Sequence, residues 1–160
     1  MDKPFETIIS IRETTSLLLS ELTLDELNHV PKGFSNNILW NAGHMLVVLQ
    51  KLTYGLSGNT LLLSDELVNT FGKGSKPEEK YTHETYEKVK KLLVCTAKDL
   101  KQDYESGIFK SYTKFTTGLG VTLTSIEEAI QFVSVHEAIH YGYILALRKA
   151  VKAKKKGLFG

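Results

Sequence analysis

Apolar residues recur at helical spacing in four long segments of the chain, at residues 5–22, 37–54, 82–105 and 125–152. In each segment they return every three or four positions, which places them on one face of an α-helix. Each such helix must bury its apolar face against the others. The pattern therefore predicts an all-α protein built as a four-helix bundle.

Shorter elements are predicted between the long helices. Thr23 is placed to cap a short helical turn over 24–27, and another short helix is predicted within 61–71, between the second and third long helices. Ser125, followed three residues later by a glutamate, has the spacing of a capping box and marks the start of the last helix. Residues 108–124 are rich in β-branched and aromatic side chains. With no partner strand elsewhere in the sequence, they are predicted to form a long connecting loop.

The composition limits the classes of function. A length of 160 residues predicts a single domain over 1–160, and a net charge of +2 gives no overall attraction for nucleic acid. Basic residues gather in a C-terminal tail at about 150–160, as they do at a solvated helix end. The only cysteine, Cys95, excludes an intramolecular disulfide, and no apolar run reaches the roughly 20 residues of a membrane span. These features predict a cytoplasmic protein that binds neither membrane nor nucleic acid.

Two histidines of the last helix, His136 and His140, lie one helical turn apart. This spacing puts both imidazoles within reach of one ion, and they share a predicted inward-facing stripe with Val133 and Tyr143. Residues 136–140 (HEAIH) also match the H-E-x-x-H pattern of zinc peptidases. However, the sequence after His140 contains no further His, Cys, Asp or Glu to serve as the third ligand. A peptidase is therefore disfavoured, and a third ligand is expected upstream.

Three upstream histidines, His29, His44 and His83, are candidates for the third ligand. His44 lies among apolar residues inside the second long helix, whereas His29 lies in a polar turn and His83 at an exposed helix start. Helical bundles build metal sites from ligands on facing helices, so His44 is the preferred candidate. Neutral imidazoles suit Zn, Ni, Fe or Cu. The alternative is that the histidines are core residues satisfied by hydrogen bonds.

Three protein ligands would leave a coordination position open, as in catalytic metal sites. Three further residues are candidates for catalytic or positioning roles. Glu137 is a candidate general base or partner of a ligand, or else a member of a surface ion pair. Asn41, three residues before His44, is a candidate to orient a ligand or substrate, and Tyr141 is a candidate for positioning or proton transfer.

Three segments of the chain resemble, in this order, the DinB-like (damage-inducible) family: residues 37–44 (NILWNAGH), 66–74 (from Glu-Leu-Val to Gly-Lys-Gly) and 136–142 (HEAIHYG). The order of the segments extends the resemblance over essentially the whole chain. One position departs from the family, which often has glutamine where this sequence has Tyr143.

The resemblance implies an up-down-down-up four-helix bundle, often a homodimer, in which His44, His136 and His140 hold one divalent metal ion, with Zn or Ni favoured. Relatives include transferases and isomerases that use a low-molecular-weight thiol, and others are regarded as metal-dependent hydrolases. The prediction is therefore a metal-dependent enzyme, a thiol S-transferase or hydrolase, acting on a small-molecule substrate. A non-catalytic metal-binding or ligand-binding stress-response protein is the alternative.

Overall fold

The computed structural model describes the backbone of residues 1–157 and the side chains of residues 1–153. The end of the predicted basic tail, at 154–160, lies outside the described side chains. The elements follow one another as α1 Asp2–Ser20, α2 Leu24–Asn28, α3 Ile38–Thr53, a 3₁₀ turn Gly55–Ser57, α4 Asp65–Phe71, α5 His83–Glu105, β1 Phe115–Thr116, β2 Thr122–Leu123 and α6 Ile126–Gly157. The long helices α1, α3, α5 and α6 confirm the predicted all-α bundle.

Side-chain contacts along the bundle fix the direction of each long helix. The contacts between α1 and α6 follow the same order along both helices, so these two helices run parallel. The ends of α3 and α5 contact each other, so these two also run parallel. The start of α1 contacts the end of α5, so the two pairs are antiparallel to each other. This arrangement is the predicted up-down-down-up topology. The pairs that define it are Arg12 with Glu137, Glu21 with Arg148, Tyr54 with Asp103, and Phe5 with Tyr104.

The first helix differs from its predicted limits at both ends. It begins at Asp2 and not at residue 5. The helix can include Pro4 because N–H groups in the first turn have no partner within the helix, so the missing N–H of proline costs no hydrogen bond there. It ends at Ser20 and not at residue 22. There the N–H groups of Glu21 and Leu22 donate to carbonyls three residues back, which tightens the final turn.

The predicted connecting loop contains a small β-hairpin, so the prediction for residues 108–124 was wrong in part. Phe115 pairs with Leu123 and Thr116 with Thr122 in antiparallel register. The partner strand lies within the segment itself, and the two strands are joined by a short turn in which Gly120 has φ +79°. Local pairing of this kind needs no strand elsewhere in the chain.

The core consists of two apolar clusters with a polar layer between them. One cluster joins the start of α3 to the end of α6, and the other joins the end of α3 to the start of α6. The residues that fall between the clusters along each helix include Arg12, Thr96 and Glu137, all of them buried. Among the described residues, no helix combines the length and apolar character that a membrane span requires.

Candidate metal centre

The structure brings the three predicted histidines together at one place between α3 and α6. His44, His136 and His140 each offer one ring nitrogen, and these nitrogens all lie within 4.8 Å of one another. The ring centroids are 4.4 Å apart for His136 and His140 and 5.0 Å apart for His44 and His140. His83 is exposed at the start of α5, and neither it nor His29 belongs to the cluster.

His44 is oriented by the loop end of α4. Its Nδ1 atom lies 2.7 Å from the carbonyl oxygen of Phe71, and a carbonyl only accepts, so Nδ1 carries the proton. The unprotonated Nε2 is therefore left to bind a metal ion. Trp40, one turn earlier on α3, stacks on the imidazole of His44, with the ring centroids 4.7 Å apart and an angle of 11° between the ring planes. Its Nε1–H donates to Ser75 Oγ.

Gly43 allows α4 to approach His44 closely enough for this contact. A Cβ atom at position 43 would lie 2.4 Å from the ring of Phe71, well inside van der Waals contact. The ring of Phe71 thus fills the space that any other side chain at 43 would need. Glycine at position 43 therefore lets α4 come close enough to place the Phe71 carbonyl against His44.

His140 is oriented from α3 by a predicted site residue. Its Nδ1 lies 2.9 Å from Oδ1 of Asn41. The Asn41 amide is held in this orientation because its Nδ2 donates to the carbonyl of Asn37, the N-cap of α3. Oδ1 is then the accepting end, so Nδ1 of His140 donates and its Nε2 remains available to a metal ion.

His136 has a buried Nδ1 atom with no hydrogen-bond partner among the described residues. Burial, the neighbouring rings of His140 and His44, and the charge of Arg12 lower the pKa of His136 to about 3. Burial and His44 lower the pKa of His140 to about 4, and burial also lowers the pKa of His44. All three imidazoles are thus neutral at pH 7. Neutral imidazoles and an unsatisfied buried nitrogen fit a divalent metal ion.

Glu137 occupies a different environment from the surface ion pair considered as one alternative. The stripe of α6 that faces the core runs through Val133, Glu137 and Ile144, and the histidines sit half buried at its edge. Tyr143, predicted to face inward, is 39% exposed, because the burial of Glu137 rotates the inward stripe toward Ile144. The carboxylate of Glu137 accepts from Arg12 Nε at 3.1 Å and from Nη2 at 2.8 Å.

Arg12 is a residue of this region that was not predicted from the sequence. On α1 it lies in an apolar stripe at helical spacing, after Ile8 and before Thr15, and its side chain is fully buried. A charged residue inside such a stripe is a signal that it has a buried partner. Burial raises the pKa of the Glu137 carboxyl, and the charge and hydrogen bonds of Arg12 act in the opposite direction.

Tyr141, the remaining catalytic candidate, is half buried against the apolar cluster that contains Trp40 and Ile144. The cluster of three histidines includes no fourth His, Cys, Asp or Glu from the part of the chain that the structure describes. A metal ion held there would thus have three protein ligands.

The DinB superfamily model matches residues 8–144. The chain belongs to the DinB superfamily. The matched region of this DinB superfamily protein runs from α1 into α6 and includes His44, His136 and His140. Comparison with curated proteins finds no significant match.

Proposed function

We propose that this DinB superfamily protein is a metal-dependent enzyme that acts on a small molecule. The observation that carries the proposal is the convergence of three imidazoles, from His44, His136 and His140, with no fourth His, Cys, Asp or Glu from the described residues. A site with three protein ligands keeps a position for water or substrate, which is the arrangement of catalytic metal centres and not of closed structural ones.

The residues around the cluster support this role by holding the ligands. The Phe71 carbonyl and the Asn41 amide fix the tautomers of His44 and His140, so both rings present Nε2. A bound divalent ion would lower the pKa of a coordinated water or thiol and so supply a nucleophile near pH 7. Zn or Ni suits the all-imidazole ligand set.

The location of the cluster at the edge of the bundle supports a reaction with an external substrate. His136 and His140 are only partly buried, so a small molecule can approach them from solvent. We propose transfer of a low-molecular-weight thiol to a small electrophile, with hydrolysis as the second reaction of the same site. Both oxygens of Glu137 are engaged by Arg12. We therefore assign Glu137 to supporting the ligands and not to proton transfer.

Metal content and turnover together test this proposal. The protein is loaded with Zn or Ni, dialysed, and analysed by mass spectrometry beside a His136→Ala/His140→Ala variant and a His83→Ala control that removes an exposed histidine. We expect about one metal per chain in the parent and control and little in the double variant. Parent and variants are then assayed with a low-molecular-weight thiol plus a chromogenic electrophile, and with a chromogenic ester.

The outcomes separate the two functions that the sequence predicted. Metal-dependent turnover that is absent from the double variant supports the enzyme. Stoichiometric metal without turnover in either assay favours the non-catalytic metal-binding protein. A parent that stays metal-free after incubation with Zn and with Ni overturns the metal-dependent enzyme and the metal-binding alternative. The homodimer and the cytoplasmic location stay predictions, and light scattering of the loaded protein tests the first of them.

A further inference from the structure

We propose that Arg12, on a helix that contributes no ligand, is a positioning residue that sets the relative placement of the two ligand-bearing helices. This inference rests on the proposed metal centre. It assigns a role in metal binding to a buried ion pair that lies outside the three-histidine cluster.

The guanidinium of Arg12 connects all the long helices of the bundle. Its side chain on α1 donates five hydrogen bonds and is fully buried. The acceptors lie on α3, α5 and α6: they are the carbonyls of Met45 and Leu93, the hydroxyl of Thr96, and both oxygens of Glu137. The planar fork of arginine matches this set of directions, which lysine does not.

Two of these acceptors are direct neighbours of metal ligands in the sequence. Arg12 Nη2 donates to the carbonyl of Met45 at 2.7 Å and to Oε1 of Glu137 at 2.8 Å. Met45 follows His44 on α3, and Glu137 follows His136 on α6. A single nitrogen atom therefore bridges the backbone beside one ligand to the side chain beside another. Any shift of α3 against α6 at the level of the cluster would break one of these two bonds.

The alternative role for the pair is simple stabilisation of the bundle. A buried ion pair is a weak contributor to stability, because desolvation of both charges offsets their attraction, and apolar replacement of the pair is often neutral. Here the pair separates two apolar clusters that apolar side chains at 12 and 137 would join. The proposal therefore predicts that apolar replacement preserves the fold and impairs the metal centre.

The test uses the full-length protein and cobalt, whose visible absorption reports ligand geometry. Co(II) affinity is measured by competition with a chelator, and the absorption bands are recorded, for the parent and for Arg12→Met/Glu137→Met. Urea unfolding of the metal-free forms gives their stability. The control is Glu21→Ala/Arg148→Ala, which removes a surface ion pair between the residue that ends α1 and α6, away from the ligands.

We expect the Arg12→Met/Glu137→Met variant to fold, to bind Co(II) about 10- to 100-fold more weakly, as loss of groups that support metal ligands usually does, and to show altered bands. The Glu21→Ala/Arg148→Ala control is expected to keep parental affinity and bands. An Arg12→Met/Glu137→Met variant with the affinity and bands of the parent would overturn the inference. A parent that binds no Co(II) would instead overturn the proposed metal centre, and this inference with it.

A second variant, Arg12→Lys, tests the inference if the double variant does not fold. It also distinguishes the positioning role of Arg12 from the effect of its charge. Lysine keeps the positive charge beside His136 and loses the fork that reaches Met45, Thr96 and Glu137 together. We expect Arg12→Lys to bind Co(II) about tenfold more weakly with altered bands. Parental affinity and bands in this variant would show that charge alone suffices, which contradicts a positioning role.

Discussion

Asn41 on α3 and His140 on α6 are in hydrogen-bond contact, with 2.9 Å between Oδ1 and Nδ1. One ligand-bearing helix thus orients a ligand of the other, and the Asn37 carbonyl fixes the amide that does so. Loss of a group that orients a ligand typically lowers metal affinity by about 10- to 100-fold. Asn41→Ala is expected to show this loss in a chelator competition with Zn. Asn69→Ala, at an exposed position of α4, is the control, and equal affinities for the two variants would contradict the role of Asn41.

Two helical glycines are predicted to respond in opposite directions to the same substitution. In Gly43→Ala the new methyl group would lie 2.4 Å from the Phe71 ring, so α4 must move and the carbonyl that orients His44 moves with it. Overpacking of this kind costs about 1–3 kcal/mol of unfolding free energy, and we expect Zn affinity to fall as well.

Gly142→Ala is the matched control for Gly43→Ala. Gly142 lies within α6, and a Cβ atom there would have no neighbour within 4 Å. Alanine in a helix interior is more stable than glycine by roughly 0.5–1 kcal/mol, so this variant should unfold at higher urea concentration with unchanged Zn affinity. A Gly43→Ala variant as stable as the parent would show that α4 adapts without cost.

The parts of the fold that follow from local pattern were predictable from the sequence. The helical period located α1, α3, α5 and α6, and the spacing of His136 and His140, with His44 in an apolar helix, pointed to one cluster. The orientation of α6 about its axis was not predictable from its own residues.

The orientation of α6 about its axis depends on the contact of Glu137 with Arg12, which lies 125 residues earlier in the chain. Glutamate is usually a surface residue, and only the buried guanidinium of Arg12 makes the burial of Glu137 possible. The hairpin β1–β2 was missed for a different reason, because a partner strand was expected elsewhere in the chain and the pairing of Phe115 with Leu123 is local.

The Arg12–Glu137 pair should show strong non-additivity in stability. Arg12→Met alone leaves the Glu137 carboxylate buried without its partner, which typically costs about 3–5 kcal/mol of unfolding free energy. Arg12→Met/Glu137→Met removes both charges and is expected to recover most of that loss. Urea unfolding of the parent, both single variants and the double variant measures the coupling. Losses that simply add would mean that the two side chains do not act as a pair.

The histidine cluster should make the metal-free protein less stable as the pH falls. His136 and His140 have folded-state pKa values of about 3 and about 4, below the 6.5 of an unperturbed histidine. Between pH 6.5 and 4 the unfolded chain therefore binds protons that the folded protein does not. The stability is fully present above about pH 6.5 and is lost as the pH falls toward the folded-state pKa values. Urea unfolding of the chelator-treated parent should show this decline, and His136→Ala/His140→Ala should show a shallower one. A double variant with the parental slope would place the titrating groups elsewhere.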